Sequence, residues 1–184
     1  SMRPGDALLM TKSAGLEGTA IAAREFPDRL RRDGVPDATI ERCAGLLSQL
    51  SVLEEARAAA SFEETSAMHN VTEGGVATAL AELSEAGGCG LRVNLDALPI
   101  LDETREVCRC LGIDPLGLIG SGSLLVSCRP EAADPLLEAI RALGIPVRRI
   151  GQVLNRVPGV EAVGADGPCD FPSFEVDEIT RLLD

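Results

Sequence analysis

Met68–His69–Asn70–Val71–Thr72–Glu73–Gly74–Gly75 passes from a short strand, Ser66–Met68, directly into a helix. From Gly74 to Ala86, Val76, Leu80 and Leu83 fall on one helical face, and Gly87–Gly88 ends the element. Asn70 and Glu73 stand three apart. This is capping-box spacing, in which Asn70 accepts from the Glu73 N–H and Glu73 reaches back. Two glycines in a first turn destabilise a helix by roughly 1 kcal/mol each relative to Ala. That cost makes sense where another backbone or a ligand must come close. Free N–H groups and the positive dipole end then favour a phosphate or carboxylate. The plainer reading, that the glycines only let helix pack tightly on sheet, has equal weight on these residues. His69 is the single imidazole. It is a candidate acid/base or anion contact, although a lone His at a strand end is more often a satisfied structural residue.

Strand and helix alternate on both sides of this segment. Upstream, Asp6–Thr11 is an apolar run with the character of a buried strand, and Lys12–Gly18 turns into a short helix ending near Glu25. Pro36–Asp37 opens a helix with Ile40, Cys43, Ala44 and Leu47 inward and Asp37 as N-cap. Ser51 is expected to cap the next, which carries Val52, Leu53, Ala56 and Ala60. Downstream, Leu91, Val93 and Leu95 alternate with polar residues as in a half-buried strand. The spacing predicts helices over Glu103–Leu111, with Thr104, Val107, Cys108 and Leu111 inward, and over Glu131–Leu143, with Leu136, Leu137, Ile140 and Leu143 inward. Strands are expected at Gly122–Cys128, Ile145–Val153 and Val160–Val163. A loop, Gly164–Phe174, and a short helix to Leu183 complete the pattern. It predicts a single α/β domain over 1–184, an α+β sandwich with a mixed sheet flanked by helices.

Gly120–Ser121–Gly122–Ser123 precedes the apolar run Leu124–Leu125–Val126. Small residues there allow close approach and the hydroxyls can donate. The run has no Lys and lacks P-loop spacing, so alone it is no nucleotide cradle, and a tight turn is the slightly preferred reading.

Composition narrows the function classes. The chain holds four Phe, no Tyr and no Trp, which leaves no aromatic platform for single-stranded nucleic acid. A formal charge of −12 repels phosphate backbones and anionic lipid, so neither nucleic acid nor a membrane surface is an expected partner. It leaves room for a small anion held locally by backbone amides. The short basic runs, Arg29–Arg31–Arg32 and Arg148–Arg149, read as solvated faces. Six cysteines without a C-x-x-C, beside one His, make a metal site improbable, so no metal is expected. No signal peptide or spanning apolar run is evident, which points to a reducing cytoplasm. Ser1–Met2, followed within a few residues by a buried strand, reads as a cut at a domain boundary.

Four segments in order resemble a known family: Thr11–Thr19, His69–Leu80, Leu111–Leu116 (Leu-Gly-Ile-Asp-Pro-Leu) and Ser121–Leu125. Together they are similar to the C-terminal domain of AIR-synthase-related proteins. That superfamily includes PurM, the hydrogenase maturation protein HypE, selenophosphate synthetase and thiamine-monophosphate kinase. The Gly-Ile-Asp-Pro-Leu turn points to the HypE-like branch. The resemblance implies a PurM C-terminal-domain-like α/β sandwich of partly ferredoxin-like topology. It also implies ATP-dependent phosphoryl transfer, with an N-terminal domain, absent from this chain, supplying most ATP and magnesium ligands and forming a homodimer. This domain would then be one wall of an interdomain cleft holding a phosphorylated substrate or ATP phosphates, inactive by itself, with a small anionic substrate as its partner. Asn70, Thr72, Glu73, Gly74, Gly75, Gly120, Ser121 and Gly122 are its expected phosphate or substrate contacts, and His69 and Glu73 its candidate catalytic groups.

Two positions depart from the pattern. The family motif commonly has Asp where Asn70 stands, and HypE-like enzymes commonly have an acidic residue where Ser121 stands. They also end in a cysteine-bearing tail, whereas this chain ends Glu178–Ile179–Thr180–Arg181–Leu182–Leu183–Asp184. HypE-type dehydration is therefore not assigned from these residues. The rival expectation is a non-catalytic small-anion-binding or partner-docking module of the same descent.

Overall fold

The computed structural model describes residues 1–182. Seven strands, β1 (Ala7–Thr11), β2 (Thr65–Asn70), β3 (Gly90–Asn94), β4 (Leu124–Cys128), β5 (Val147–Leu154), β6 (Gly159–Gly164) and β7 (Gly167–Cys169), form one sheet. Their order is β2-β4-β1-β5-β3-β6-β7, and β3 and β6 are its parallel pair. The helices are α1 (Leu16–Glu25), α2 (Pro27–Arg32), α3 (Asp37–Gly45), α4 (Leu53–Ala60), α5 (Gly75–Gly87), α6 (Asp102–Leu111) and α7 (Ala133–Ala142). This is the mixed sheet with flanking helices that the alternating pattern predicts. No helix among the described residues is long and apolar enough to cross a membrane.

β1 explains the layering. Antiparallel to both β4 and β5, it is buried along its whole length. Its pleat sends Leu8 and Met10 into a core with Val76, Leu80 and Leu83 of α5. Ala7 and Leu9 face the other way, into a core with Ala59 of α4 and Leu136, Leu137 and Ile140 of α7. Leu8, Leu9 and Met10 are fully enclosed. Each such side chain contributes about 1.5–3 kcal/mol of burial energy. A third cluster joins Ala22, Leu30, Ile40, Cys43, Val107, Cys108 and Leu118, holding α1, α2, α3 and α6 together. Its α6 members follow the expected face, with Thr104, Val107, Cys108 and Leu111 all buried.

Several local expectations are corrected. Asp37 does not cap α3: Pro36 takes the N-cap position and the Asp37 carboxylate pairs with Arg31 at 2.7 Å. The Ser51 hydroxyl reaches the Leu53 amide only at 3.5 Å, and Val52 is the N-cap of α4. α4 is also rotated from its expected face. Glu55 and Ala59 point inward while Leu53 is 60% exposed, because Glu55 is drawn in by an ion pair with Lys12. Leu143 lies beyond the end of α7 and is exposed. β7 forms within the segment expected to be a loop, pairing with β6. The last helix is a 3-10 turn, Glu178–Leu182, and its expected end at Leu183 lies outside the described residues.

Candidate functional site

β1 and β2 are both antiparallel to β4, and β1 and β3 both antiparallel to β5. The C-terminal ends of β1, β2 and β3 therefore share one edge of the sheet with the N-terminal ends of β4 and β5. All four motif segments meet there. The Gly18 amide donates to the Ile119 carbonyl at 2.9 Å, Gly120 N–H to Thr72 at 3.2 Å, and Val71 N–H to Ser123 at 2.9 Å. The Ser123 hydroxyl donates to the Ser13 carbonyl at 2.6 Å, and the Ala77 amide to Leu116 at 3.0 Å.

The helix start differs from the capping-box expectation. Asn70 stays in the sheet as the last residue of β2, paired with Leu124, so it is not at a helix terminus. Gly74 is the N-cap of α5 with φ 77°, and no side chain of its own segment caps it. Its amide is taken by Asp177, whose Oδ2 accepts at 2.7 Å from 103 residues away. Asp177 Oδ1 also accepts from the Ile119 amide at 3.2 Å and the Ile179 amide at 2.9 Å. The carboxylate is 3% exposed, so the positive end of α5 already holds an anion supplied by the chain.

The glycines resolve differently from each other. Gly75 has φ 66°, and a Cβ there would stand 2.5 Å from the Leu116 carbonyl oxygen and 2.7 Å from that of Leu118. The approaching group is backbone, so Gly75 serves tight packing. Gly120–Ser123 closes as a tight turn through the Ser123 N–H to Gly120 O bond at 3.3 Å. Gly120 and Gly122 are buried within it and Ser121 is half-buried. Asn70, Thr72 and Glu73 are exposed beside it.

His69 turns toward α5. Its Nε2 lies 3.1 Å from Glu82 Oε2 and its Nδ1 2.7 Å from the Asn70 carbonyl, so both ring nitrogens are engaged. Among the described residues, no group of three or more His, Cys, Asp and Glu stands together to hold a metal ion. Burial pushes the Cys108 thiol up to about 12 and those of Cys43 and Cys128 up to about 11, which leaves them protonated and unreactive.

Three residues here escaped the sequence reading. Glu178 Oε2 accepts the Asp114 amide at 2.7 Å, and its own N–H donates to the Gly117 carbonyl, so Asp177–Glu178 straps the Gly112–Gly117 turn. The Ile179 amide on Asp177 Oδ1 is the local N-cap signal that could have marked Asp177; its reach to Gly74 had none. Lys12 is the one non-glycine residue with positive φ (53°) among the described residues. Its Nζ is held by Glu55 at 2.7 Å, the Ser51 carbonyl at 2.6 Å and the Gly122 carbonyl at 3.0 Å.

Comparison with known proteins completes the picture. Residues 3–162 match the model of the AIR synthase related protein, C-terminal domain. Carbamoyl dehydratase HypE of Cupriavidus necator is 33% identical over 159 residues, covering 83% of this chain and 41% of that protein. The crystal structure of E. coli HypE superposes with a TM-score of 0.78 at 28% identity, over 97% of this chain and 54% of that one. A structure of hydrogenase maturation protein HypE in complex with ATP gives a TM-score of 0.69 at 25% identity, over 97% and 53%. The chain thus spans about half the length of these relatives, or less.

Proposed function

Because the chain belongs to the AIR-synthase-related family as its C-terminal domain, in the HypE-like branch, we propose that it forms one wall of an interdomain cleft in an ATP-dependent phosphoryl-transfer enzyme. The observation that carries this reading is the convergence of the four motif segments on one sheet edge, cross-linked by backbone bonds. The exposed Thr72 and Glu73 and the half-buried Ser121 stand together there. ATP and magnesium then belong to a second domain of the same polypeptide, which also carries the homodimer contacts. The HypE complex with ATP supports the nucleotide part of this reading.

Within the cleft, the Gly74 amide is not available to a phosphate, because Asp177 holds it. The wall's contacts to substrate are therefore side chains: the Thr72 and Ser121 hydroxyls as donors to a small anionic substrate, and Glu73 as a proton acceptor or cation contact. Asn70 supports the edge by ending β2.

The test compares two proteins. The longer natural protein should release phosphate from ATP in the presence of a small amide or thiocarboxylate, and Glu73→Gln should lower that rate at least about tenfold. This chain alone should show neither hydrolysis nor micromolar ATP binding in calorimetry. Micromolar ATP binding by the chain alone would overturn the division of labour. Phosphate release indifferent to Glu73→Gln and Thr72→Val would overturn the wall. The Asp177 contact favours a second reading, a non-catalytic anion-binding or partner-docking module, and phosphoryl transfer by the unmodified longer protein would exclude it.

A further inference from the structure

We propose that Lys12 is a positioning residue of the site, gripping the Gly120–Ser123 turn so that the Ser121 hydroxyl is held in place for the substrate. The proposal rests on the reading of Ser121 as a substrate donor and adds to it the group that fixes the donor.

The β1–β4 ladder ends at the Met10–Leu125 pair. Beyond it the two segments stay joined through side chains. The Leu124 amide donates to the Thr11 hydroxyl at 3.0 Å, the Lys12 ammonium to the Gly122 carbonyl at 3.0 Å, and the Ser123 hydroxyl to the Ser13 carbonyl at 2.6 Å. Three consecutive residues thus grip three consecutive residues, and Ser121 is the next one along. A Cβ on Gly122 would stand 3.0 Å from the Gln49 carbonyl oxygen and 3.0 Å from the Leu50 Cα, so main chain from the segment before α4 also closes on the turn.

Lys12 is committed to this grip. Its backbone is left-handed, φ 53°, a conformation that L side chains adopt at a cost and that persists where the surroundings enforce it. An ammonium has three protons to donate. The Glu55 carboxylate takes one at 2.7 Å, the Ser51 carbonyl another at 2.6 Å, and Gly122 the third. None is left for a ligand, so Lys12 acts through the turn and not on the substrate. Glu55 also accepts from the Thr11 hydroxyl at 3.3 Å, the same hydroxyl that accepts the Leu124 amide. The grip is therefore one network, running from α4 through the end of β1 to the turn. Stability alone does not call for it, because well-packed apolar residues commonly replace a buried ion pair without loss. What apolar residues cannot supply is a donor fixed on the Gly122 carbonyl.

Lys12→Met alone strands the Glu55 charge, so the test variant is Lys12→Met/Glu55→Leu, which removes the grip without leaving a buried charge. In the 184-residue chain this variant should raise amide hydrogen exchange at Ser123, whose N–H bonds Gly120 within the turn, at least about tenfold, with exchange across the β3–β6 ladder unchanged. Equal protection of Ser123 in the two proteins would overturn the grip itself. The second arm uses the longer natural protein, assayed by phosphate release from ATP with thioacetate as the acceptor. There Ser121→Ala and Lys12→Met/Glu55→Leu should each raise KM for thioacetate about tenfold with kcat within about twofold, and combining them should add nothing. Losses that multiply would overturn action through Ser121, as would a raised KM in Ser121→Ala alone. Absence of phosphate release, or an unchanged KM in Ser121→Ala, beside a loosened turn would place the failure in the reading of Ser121 as substrate donor, and Lys12 would lose its positioning role with it.

Discussion

Asp177 Oδ2 accepts the Gly74 amide at 2.7 Å, joining the C-terminal segment to the start of α5 across 103 residues. The same carboxylate holds the Ile119 and Ile179 amides, so it closes a helix start, a turn and a terminal segment in one contact. Hydrogen bonds to a charged group are worth roughly 1.5–3 kcal/mol each when buried, and donors left unpaired add their own desolvation. Asp177→Ala should therefore lower unfolding free energy by about 2–4 kcal/mol in urea titrations. Asp177→Asn, which keeps the acceptor oxygen, should lose less. A change below about 0.5 kcal/mol in the Ala variant would show that the three amides find other partners.

Gly75 and Gly112 offer a matched comparison. Both have positive φ, 66° and 70°, but a Cβ on Gly75 meets the Leu116 and Leu118 backbone, whereas one on Gly112 meets nothing within 4 Å. Gly112→Ala should cost only the left-handed backbone penalty, about 1 kcal/mol. Gly75→Ala should cost that and also displace the Gly112–Gly117 turn, for a total above about 3 kcal/mol. Equal losses in the two variants would mean that the packing of α5 against this turn is soft.

What the sequence displayed and what it hid follow from the range of the forces involved. The inward face of α6 and the buried run of β1 were legible because period and apolarity act over neighbouring residues. Asn70 misled because two local rules compete for it. Capping-box spacing favoured a helix cap, but the ladder to Leu124 holds it in β2, and the sheet wins. The face of α4 was misjudged because a buried Glu breaks the apolar pattern, and its partner Lys12 lies more than forty residues away. β7, three residues in a segment rich in Gly and Pro, has no periodicity of its own and exists through its pairing with β6. In the candidate site the segments themselves were legible, whereas the anion held by α5 was not, since nothing near Gly74 names Asp177.

The Lys12–Glu55 pair ties α4 to the site edge, with side chains only 11% and 1% exposed. Thr11 adds a hydroxyl donor to Glu55 at 3.3 Å. Removing one partner of a buried pair leaves an uncompensated charge, and such changes typically cost about 3–5 kcal/mol. Glu55→Ala should fall in that range by urea unfolding. The Lys12→Met/Glu55→Leu double variant, which removes both charges and fills the space, should be more stable than Glu55→Ala alone. Additive losses in a double-mutant cycle would show that the two groups do not interact.

The cysteines set the last expectation, which concerns alkaline pH. Burial raises the thiols of Cys43 and Cys128 to about 11 and that of Cys108 to about 12, from an ordinary value of 9.0. The native state therefore prefers the neutral thiol, while the unfolded chain ionises first. Below pH 9 both states keep the proton, and the stabilising preference is fully present. As pH rises from about 9 towards 12, the unfolded thiols ionise while the folded ones resist, so stability falls through that window. Urea midpoints measured under reducing conditions should drop from pH 8.5 to 10.5, and Cys108→Ala should flatten the decline. In the native protein at pH 8, Cys169, the exposed thiol, should react first with a maleimide, and Cys43, Cys108 and Cys128 only after unfolding. Labelling of Cys108 as fast as Cys169 in the native state would mean that the α1–α3–α6 core opens far more readily than its burial implies.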